Sequence, residues 1–442
     1  MRTLEHWNRR VRADTGRIEC AEMCLRSLND ALVFEGSGRI EIGSSRGITF
    51  TMVGSPANRV DAVRVLLAGR QDPYDAEKQL RLFATDHQGT QWACGFTAPS
   101  CDIPLSKTML LRGSLSALTT HVSGPWVSTE SGVELLFIPK IRLPIDKNAL
   151  TLVSVSDKEV ARRWSPGEYD TEILGSKMRF FYPPSSNSFC ITALTSQELP
   201  HPFLENWIVE PVRILLGQIT VPRFVARNFG DGSAHVWIRP WAGHHIAGGL
   251  ASLLSNDVRL DKEKFWALYE KLLRYVALAR DCNGDPNFES NPLTRFYEEI
   301  INASLGSKWV QCLTFASAAE GIAELLRGPR ERQAEFAGVD VTNLYRVIEE
   351  WDGDEDLKQR VLGWFPRLGE TSVAIYLREL VGRGVLSSYH VRCWTAVRNV
   401  VMHGNLVSPW SNRKDDERLI ALADLVHRLT ITIIDNELKK TD

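Results

Sequence analysis

The segment IEIGSSRGITFTM, residues 40–52, alternates apolar and polar side chains on both sides of a turn. Side chains of an extended strand point alternately to opposite faces of a sheet, so this alternation predicts two antiparallel strands joined by a hairpin. Gly43 and Gly47 flank the turn, where glycine adopts backbone conformations that other residues avoid. The sequence therefore predicts a β-hairpin at residues 40–52, in the N-terminal part of the chain.

Short runs of the same kind continue to about residue 240. They predict strands at residues 63–67, 80–83, 135–138, 189–192, 212–216 and 234–238. Frequent turn residues separate these runs, which is typical of an antiparallel sandwich or barrel. Residues 1–27 lack the alternation, and we interpret them as a short helical arm.

Beyond about residue 245 the apolar residues recur every three or four positions, which indicates helices. We expect a helix that starts after Asp261, and further helices at about 292–303, 310–327, 340–362, 372–382, 388–403 and 414–437. The acidic run at 349–356 is interpreted as a solvated bend between helices. The predicted fold class is α+β, with a β-rich sensor or positioning domain at 1–245 and an all-α helical domain at 246–442.

Composition sets limits on function. The chain has 442 residues and a net charge of −2, so more than one domain is expected and nucleic acid can bind only at a local basic patch. No run of apolar residues is long enough to cross a membrane, and the start of the chain has no apolar signal core. The eight cysteines form no C-x-x-C pair, so we expect a cytoplasmic protein with reduced thiols and no metal or cofactor.

An Arg followed by a His after five to seven residues occurs more than once in the sequence. Three of these pairs are Arg239 with His244, Arg383 with His390, and Arg398 with His403. Only Arg398 lies in a continuous helical pattern with an amide, Asn399, beside it. A guanidinium binds phosphate through a fixed set of donors, and an imidazole exchanges a proton near neutral pH. Arg398, Asn399 and His403 are therefore the candidate catalytic residues.

The spacing of this motif also poses a geometric problem. On an ideal helix, Arg398 and His403 point about 140° apart. They can reach one phosphate only if the helix unwinds near Gly404, or if two subunits contribute residues. The alternative reading is a structural Arg and a His that caps the helix C-terminus. Arg392, Arg413 and Lys414 flank the motif and are candidates to contact RNA phosphates, with a solvated surface as the alternative for Arg413 and Lys414.

The C-terminal part, about 310–437, resembles the HEPN superfamily, whose signature is an Arg, a polar residue and a His late in a helical bundle. Arg398, Asn399 and His403 match this signature, and residues 318–321 look like the first bundle helix of that family. A β-rich half followed by such a bundle is similar to the Apea-like antiphage defence proteins.

The resemblance implies metal-independent cleavage of RNA, with tRNA among the candidate substrates. Attack of the ribose 2′-OH on the adjacent phosphate would leave a 2′,3′-cyclic phosphate. His403 would move the proton, Arg398 would bind the phosphate, and Asn399 would orient either of them. The resemblance further implies a homodimer, a role in antiphage defence by abortive infection, and activation by a phage-derived protein.

Two other readings remain open. In one, the helical half is a non-catalytic dimerisation or RNA-binding module and the β half binds a ligand. In the other, the β half is lectin-like or carbohydrate-active, which would require a cleft with paired carboxylates.

Overall fold

The computed structural model describes most of the chain. The described residues are 3–4, 15–43, 47–72, 75–102, 108–145, 149–155, 158–165, 167–183, 187–240, 249–254, 261–280, 283–284, 287, 291–327, 341–363, 372–402 and 412–441. The chain divides into two compact units. The first comprises residues 1–209, 220–245 and 259–262, and the second comprises 210–219, 246–258 and 263–442. Strands dominate the first unit and helices the second, which is an α+β organisation.

In the part of the chain that the structure describes, the strands all lie before residue 240. In chain order they are β1 (Thr15–Arg26), β2 (Leu32–Gly43), β3 (Ile48–Pro56), β4 (Leu80–Asp86), β5 (Gln91–Thr97), β6 (Ser100–Asp102), β7 (Met109–Leu115), β8 (Leu118–Ser123), β9 (Ser131–Phe137), β10 (Ala149–Val155), β11 (Lys158–Ser165), β12 (Glu168–Ile173), β13 (Ser176–Phe181), β14 (Phe189–Leu194), β15 (Phe224–Phe229) and β16 (Ser233–Ile238).

Within the described residues, fourteen of these strands form one antiparallel sheet in the order β12-β13-β14-β9-β15-β16-β8-β5-β4-β1-β2-β3-β7-β6. β10 and β11 pair separately. The sequence predicted an antiparallel sandwich or barrel, and the hydrogen bonds join these strands into one antiparallel sheet. The predicted hairpin at 40–52 is confirmed, because β2 pairs with β3 in the register Ile40 opposite Phe50.

The helices, also in chain order, are α1 (Arg59–Gln71), α2 (Leu204–Trp207), α3 (Glu210–Leu216), α4 (Lys262–Ala277), α5 (Pro292–Ala303), α6 (Lys308–Arg327), α7 (Val341–Glu349), α8 (Glu355–Leu362), α9 (Val373–Gly382), α10 (Ser388–Met402) and α11 (Arg413–Thr441). α6 is the central helix of the second unit, since it packs against α5, α9, α10 and α11. Five apolar residues that recur every three or four positions along α11 are all buried: Leu419, Leu422, Val426, Leu429 and Ile433.

Three secondary-structure predictions were wrong. The expected helical arm at 1–27 contains strand β1, in which a register shift between Cys20 and Met23 interrupts the alternation and disguises the strand. The expected strand at 63–67 lies inside α1, whose first amides are capped by the side chain of Asn58. The expected strand at 212–216 is the helix α3, whose residues are buried almost throughout, so its sequence lacks a polar face.

The acidic run at 349–356 is a bend, as predicted. α7 ends at Glu349 and α8 begins at Glu355, so the single helical window at 340–362 contains two helices. The side chain of Asp354 accepts a hydrogen bond from the amide of Leu357 at 2.8 Å and caps α8. The residues of the bend are exposed to solvent.

Candidate functional site

The buried residues of α10 show which face of this helix packs against the rest of the bundle. His390, Val391, Trp394 and Val397 are buried on this side. The indole Nε1 of Trp394 donates a hydrogen bond to the backbone oxygen of Ala316 on α6, at 3.0 Å. Because residues four apart lie on the same helix face, this contact brings the next residue of that row, Arg398, against α6 as well.

Arg398 forms a two-point hydrogen bond with Glu320 of α6. Its Nε lies 2.9 Å from one carboxylate oxygen of Glu320, and its Nη2 lies 3.2 Å from the other. Its guanidinium carbon also lies 5.6 Å from the ring centroid of Trp394, within the range of a cation–π contact. The hydrogen bond to Glu320 raises the pKa of Arg398, so the guanidinium is a permanent cation held in one orientation.

This arrangement lies at the surface and not in a sealed interior. The side chains of Arg398 and Glu320 are 37% and 36% exposed, which leaves room for a ligand to reach the guanidinium. Within the described residues, the Nη1 group of Arg398 has no hydrogen-bond partner. A phosphate could therefore bind Arg398 through Nη1 without displacing Glu320.

Asn399 is exposed on a different face of α10 from Arg398. Counting back by seven, four and three residues, it follows Arg392, Thr395 and Ala396 along one face of the helix. His403 and Gly404 lie outside the described residues. Whether Arg398 and His403 reach one phosphate therefore stays a prediction. His244, in the first of the three Arg–His pairs, also lies outside the described residues.

A cleft of about 480 Å³ opens between α9 and α10 on the face that carries Arg392. Both guanidinium groups at this cleft, Arg378 and Arg392, belong to exposed residues, and neither has an ion-pair partner in the part of the chain that the structure describes. The hydroxyl groups of Ser388 and Thr395 line it as well. Two unpaired cations with neighbouring hydroxyl donors are suited to bind phosphate.

Sequence reasoning selected Arg392 but missed Arg378. Arg378 lies on the preceding helix, outside any recognisable motif, and only the packing of α9 against α10 brings it to the cleft. A search of neighbouring helices for exposed arginines could have suggested it. Arg413 and Lys414, the other predicted RNA contacts, do not line this cleft. Arg413 is 92% exposed and pairs with Glu417 of its own helix at 2.9 Å, and Lys414 is exposed.

The pair Arg383 and His390 has a structural role. The backbone amide of Ser387 donates to Nδ1 of His390, so the ring proton lies on Nε2, 2.9 Å from a carboxylate oxygen of Asp424. Burial lowers the pKa of His390, which keeps the imidazole neutral. Arg383, the residue that follows α9, contacts Glu379 of that helix at 3.7 Å. His390 therefore connects α10 to Asp424 of α11.

Two further features of the described chain bear on the site. Among the described residues, no group of three or more His, Cys, Asp or Glu side chains is arranged to hold a metal ion. None of the helices in the same residues combines the length and the apolar character that a bilayer span requires.

Comparisons with protein-family models, with curated proteins and with solved structures found no match to this chain. The assignment of a function therefore rests on the geometry of the helical unit and on the residues of the motif.

Proposed function

We propose that the helical unit is a HEPN-type endoribonuclease that cleaves RNA without a metal ion. The observation that carries this proposal is the placement of Arg398. This cation, in the last third of α10, is oriented by Glu320 and Trp394, yet about a third of its side chain is open to solvent. The pairing with Glu320 uses Nε and Nη2, so a phosphate oxygen can reach the guanidinium through Nη1.

In the proposed reaction, the ribose 2′-OH attacks the adjacent phosphorus atom and loses its proton. The 5′-oxygen of the next nucleotide leaves and takes up a proton, so the products are a 2′,3′-cyclic phosphate and a free 5′-OH. Arg398 binds the non-bridging phosphate oxygens and stabilises the charge that develops on them. His403 carries the proton, and Asn399 orients the phosphate or the imidazole.

The cleft between α9 and α10 supplies the second part of the proposal. Arg378 and Arg392 would bind phosphates that flank the scissile linkage and so position the strand. This role suits a chain whose net charge is only −2, because binding then depends on a local patch and not on the whole surface. We further propose that two copies of the helical unit face each other, which would let an Arg398 and a His403 of different chains act on one linkage.

Because uncontrolled cleavage of RNA would harm the host cell, we place this activity in antiphage defence, restrained until a phage-derived trigger arrives. The contact with Glu320 fits such restraint. The carboxylate neutralises the cation that the phosphate needs, and a change in the bundle that separates α6 from α10 would release it.

The second candidate function is RNA binding without cleavage. It is favoured by the same ion pair, because a guanidinium that stays bonded to Glu320 contributes less charge to a transition state. In that case Arg378 and Arg392 would hold RNA, and Arg398 would only join two helices. The two candidates differ in what happens to bound RNA.

The test is incubation of the purified full-length protein with total RNA and with tRNA in excess EDTA, with and without lysate from phage-infected cells. The proposal expects fragments that end in a 2′,3′-cyclic phosphate, identified by their resistance to 3′-OH ligation until the cyclic phosphate is opened and the resulting monophosphate is removed. Retention of intact RNA under every condition favours the binding module. Cleavage that requires a divalent metal overturns the proposed chemistry.

A further inference from the structure

An open groove of about 1610 Å³ crosses the exposed face of the sheet in the first unit. One row of directly paired residues forms its floor: Glu35 of β2, Cys24 of β1, Phe83 of β4, Ala93 of β5, Thr119 of β8 and Trp237 of β16. Side chains that are directly opposite in a sheet point to the same face. Five strand-to-strand steps of about 4.8 Å make this row roughly 24 Å long.

One end of the groove is acidic. Glu22 precedes Cys24 by two residues on the same face of β1, so it is a diagonal neighbour of Glu35, which pairs with Cys24. Both carboxylates are exposed, and neither has an ion-pair partner in the described ranges of the chain. Arg26, the nearby cation in the groove, is occupied by Asp30 at 3.1 Å. Two like charges on neighbouring strands repel each other, and a bound cation removes that repulsion.

The other end of the groove is aromatic. The ring of His235 lies 5.1 Å from that of His121 and 5.7 Å from that of Trp237, with both contacts edge-on. Arg227 lies 4.6 Å from the centroid of the Trp237 ring. Trp126 also lines the groove. These partly exposed rings offer a surface on which an apolar or aromatic side chain can pack.

In the middle of the floor, Cys24, Ala93 and Thr119 carry small side chains, and Phe83 adds one partly exposed ring. A ligand that spans the two ends can lie close to the sheet at the three small residues and pack on the ring of Phe83. The backbone donors and acceptors of these strands are already used in the sheet, so recognition depends on side chains. The groove therefore selects an elongated ligand with a cation at one end and an apolar group at the other.

We propose that this groove binds an extended polypeptide segment of a partner protein. A Lys or Arg of that segment would pair with Glu22 and Glu35, and an aromatic or large aliphatic residue would pack on the rings at His235 and Trp237. At about 3.4 Å per residue, the roughly 24 Å between the ends corresponds to about seven residues of extended chain.

Charge decides between this ligand and the alternatives. The phosphates of a nucleic acid would be repelled by Glu22 and Glu35, because the cation at that end, Arg26, is paired with Asp30 and no other described residue pairs with the two carboxylates. A neutral oligosaccharide could stack on the rings, but it would leave the two carboxylates uncompensated. A basic peptide satisfies both ends of the groove, and this binding function is separate from the chemistry proposed for the helical unit.

The experiment is selection of random 12-residue peptides displayed on a carrier, with the full-length protein as bait, followed by anisotropy titrations of synthetic copies. The expected peptides carry a Lys or Arg and an aromatic residue separated by about six to eight positions. The double substitution Glu22→Gln with Glu35→Gln should weaken their binding at least about ten-fold, and added salt should weaken binding to the wild type.

The matched control is Glu130→Gln with Glu172→Gln, which removes two exposed carboxylates of the same unit that lie outside the groove. It should change the dissociation constant less than about two-fold. The proposal is overturned if selection enriches no peptide, if the enriched peptides lack a basic residue, or if the groove variant binds them as tightly as the wild type. A panel of neutral oligosaccharides is titrated in parallel, and binding of these sugars in place of the peptides overturns it in favour of a glycan.

Discussion

Glu320 of α6 accepts hydrogen bonds from two nitrogen atoms of Arg398 on α10, at 2.9 and 3.2 Å. The contact joins two helices of the bundle at the point where the candidate catalytic residues begin. It also places a negative charge against the cation that would bind phosphate. The same ion pair therefore orients Arg398 and offsets its positive charge, and the two effects can be separated by mutation.

Replacement of Glu320 by Gln should strengthen RNA binding. The amide keeps the size of the carboxylate and one acceptor for Arg398, but it no longer neutralises the guanidinium. One more available cation should steepen the salt dependence of RNA binding by about 0.7 in the slope of log K against log salt. The measurement is a titration of 2′-deoxy-substituted RNA, which cannot be cleaved through a 2′-OH, at several salt concentrations.

The control for that titration is Glu299→Gln, which removes an exposed carboxylate from α5. An equal slope in Glu320→Gln and in the wild type would mean that Arg398 does not contact RNA phosphate. The ion pair between Arg398 and Glu320 is partly exposed. Glu320→Gln should therefore lower the free energy of unfolding by less than about 1 kcal/mol.

The arginines of the cleft between α9 and α10 should contribute to RNA affinity and not to the chemical step. Arg378→Ala and Arg392→Ala should each reduce the salt slope by about 0.7 and raise the dissociation constant for RNA several-fold. Single-turnover cleavage at saturating protein should remain near the wild-type rate. Arg295→Ala, an exposed arginine on α5, is the control and should change neither quantity. A large fall in the single-turnover rate would place the cleft arginines in the reaction itself.

Gly321 should tolerate no side chain, because a β-carbon at this position would overlap the ring of Phe296 on α5. Gly321→Ala should cost about 1–3 kcal/mol of stability through this overlap, reduced by the roughly 1 kcal/mol that alanine gains over glycine in a helix. Chemical denaturation measures the difference. A more stable variant would show that α5 moves away from α6 without penalty.

Glu210 should make the stability of the protein depend on pH. Burial raises its pKa from 4.5 to about 7, and the hydroxyl of Thr294 donates to its carboxylate at 2.5 Å. The folded pKa exceeds the unfolded one, so the unfolded chain releases this proton first. The contribution of Glu210 is therefore greatest below pH 4.5 and is lost as the pH rises towards 7.

Glu210→Gln should remove this dependence, because the amide has no proton to lose. The stability of the variant relative to wild type should rise by up to about 3 kcal/mol between pH 4.5 and pH 8. Denaturation curves at a series of pH values test this. A difference between the two proteins that stays constant over that range would mean that Glu210 titrates normally in the folded protein.

Some elements of the fold follow directly from the sequence and others do not. The helix Pro292–Ala303 and the strand Ser233–Ile238 have regular apolar spacing and were predicted within a residue or two. β1 was missed because the register shift near Cys20 and Met23 breaks its alternation. α3 was missed because a helix that is buried almost throughout lacks the polar face that reveals its period.

The sequence could predict only those site residues that are neighbours in the chain. The motif pointed to Arg398 and Asn399 because both lie within one helix. Neither the partner Glu320 nor the cleft residue Arg378 could be predicted, because packing of α10 against other helices brings them to the site. The groove across the sheet could not be predicted from the sequence either. Its floor combines residues from six strands, and the order of these strands in the sheet differs from their order in the chain.

The most direct test of the proposed function is the cleavage of RNA by full-length Arg398→Ala protein in EDTA, compared with the wild type and with Arg295→Ala under activating conditions. Circular dichroism and thermal unfolding establish that each variant is folded. The proposal predicts that Arg398→Ala loses at least about 100-fold in rate, as expected when a group that stabilises transition-state charge is removed, while Arg295→Ala keeps wild-type activity. Folded Arg398→Ala protein that cleaves RNA at the wild-type rate would contradict the central claim.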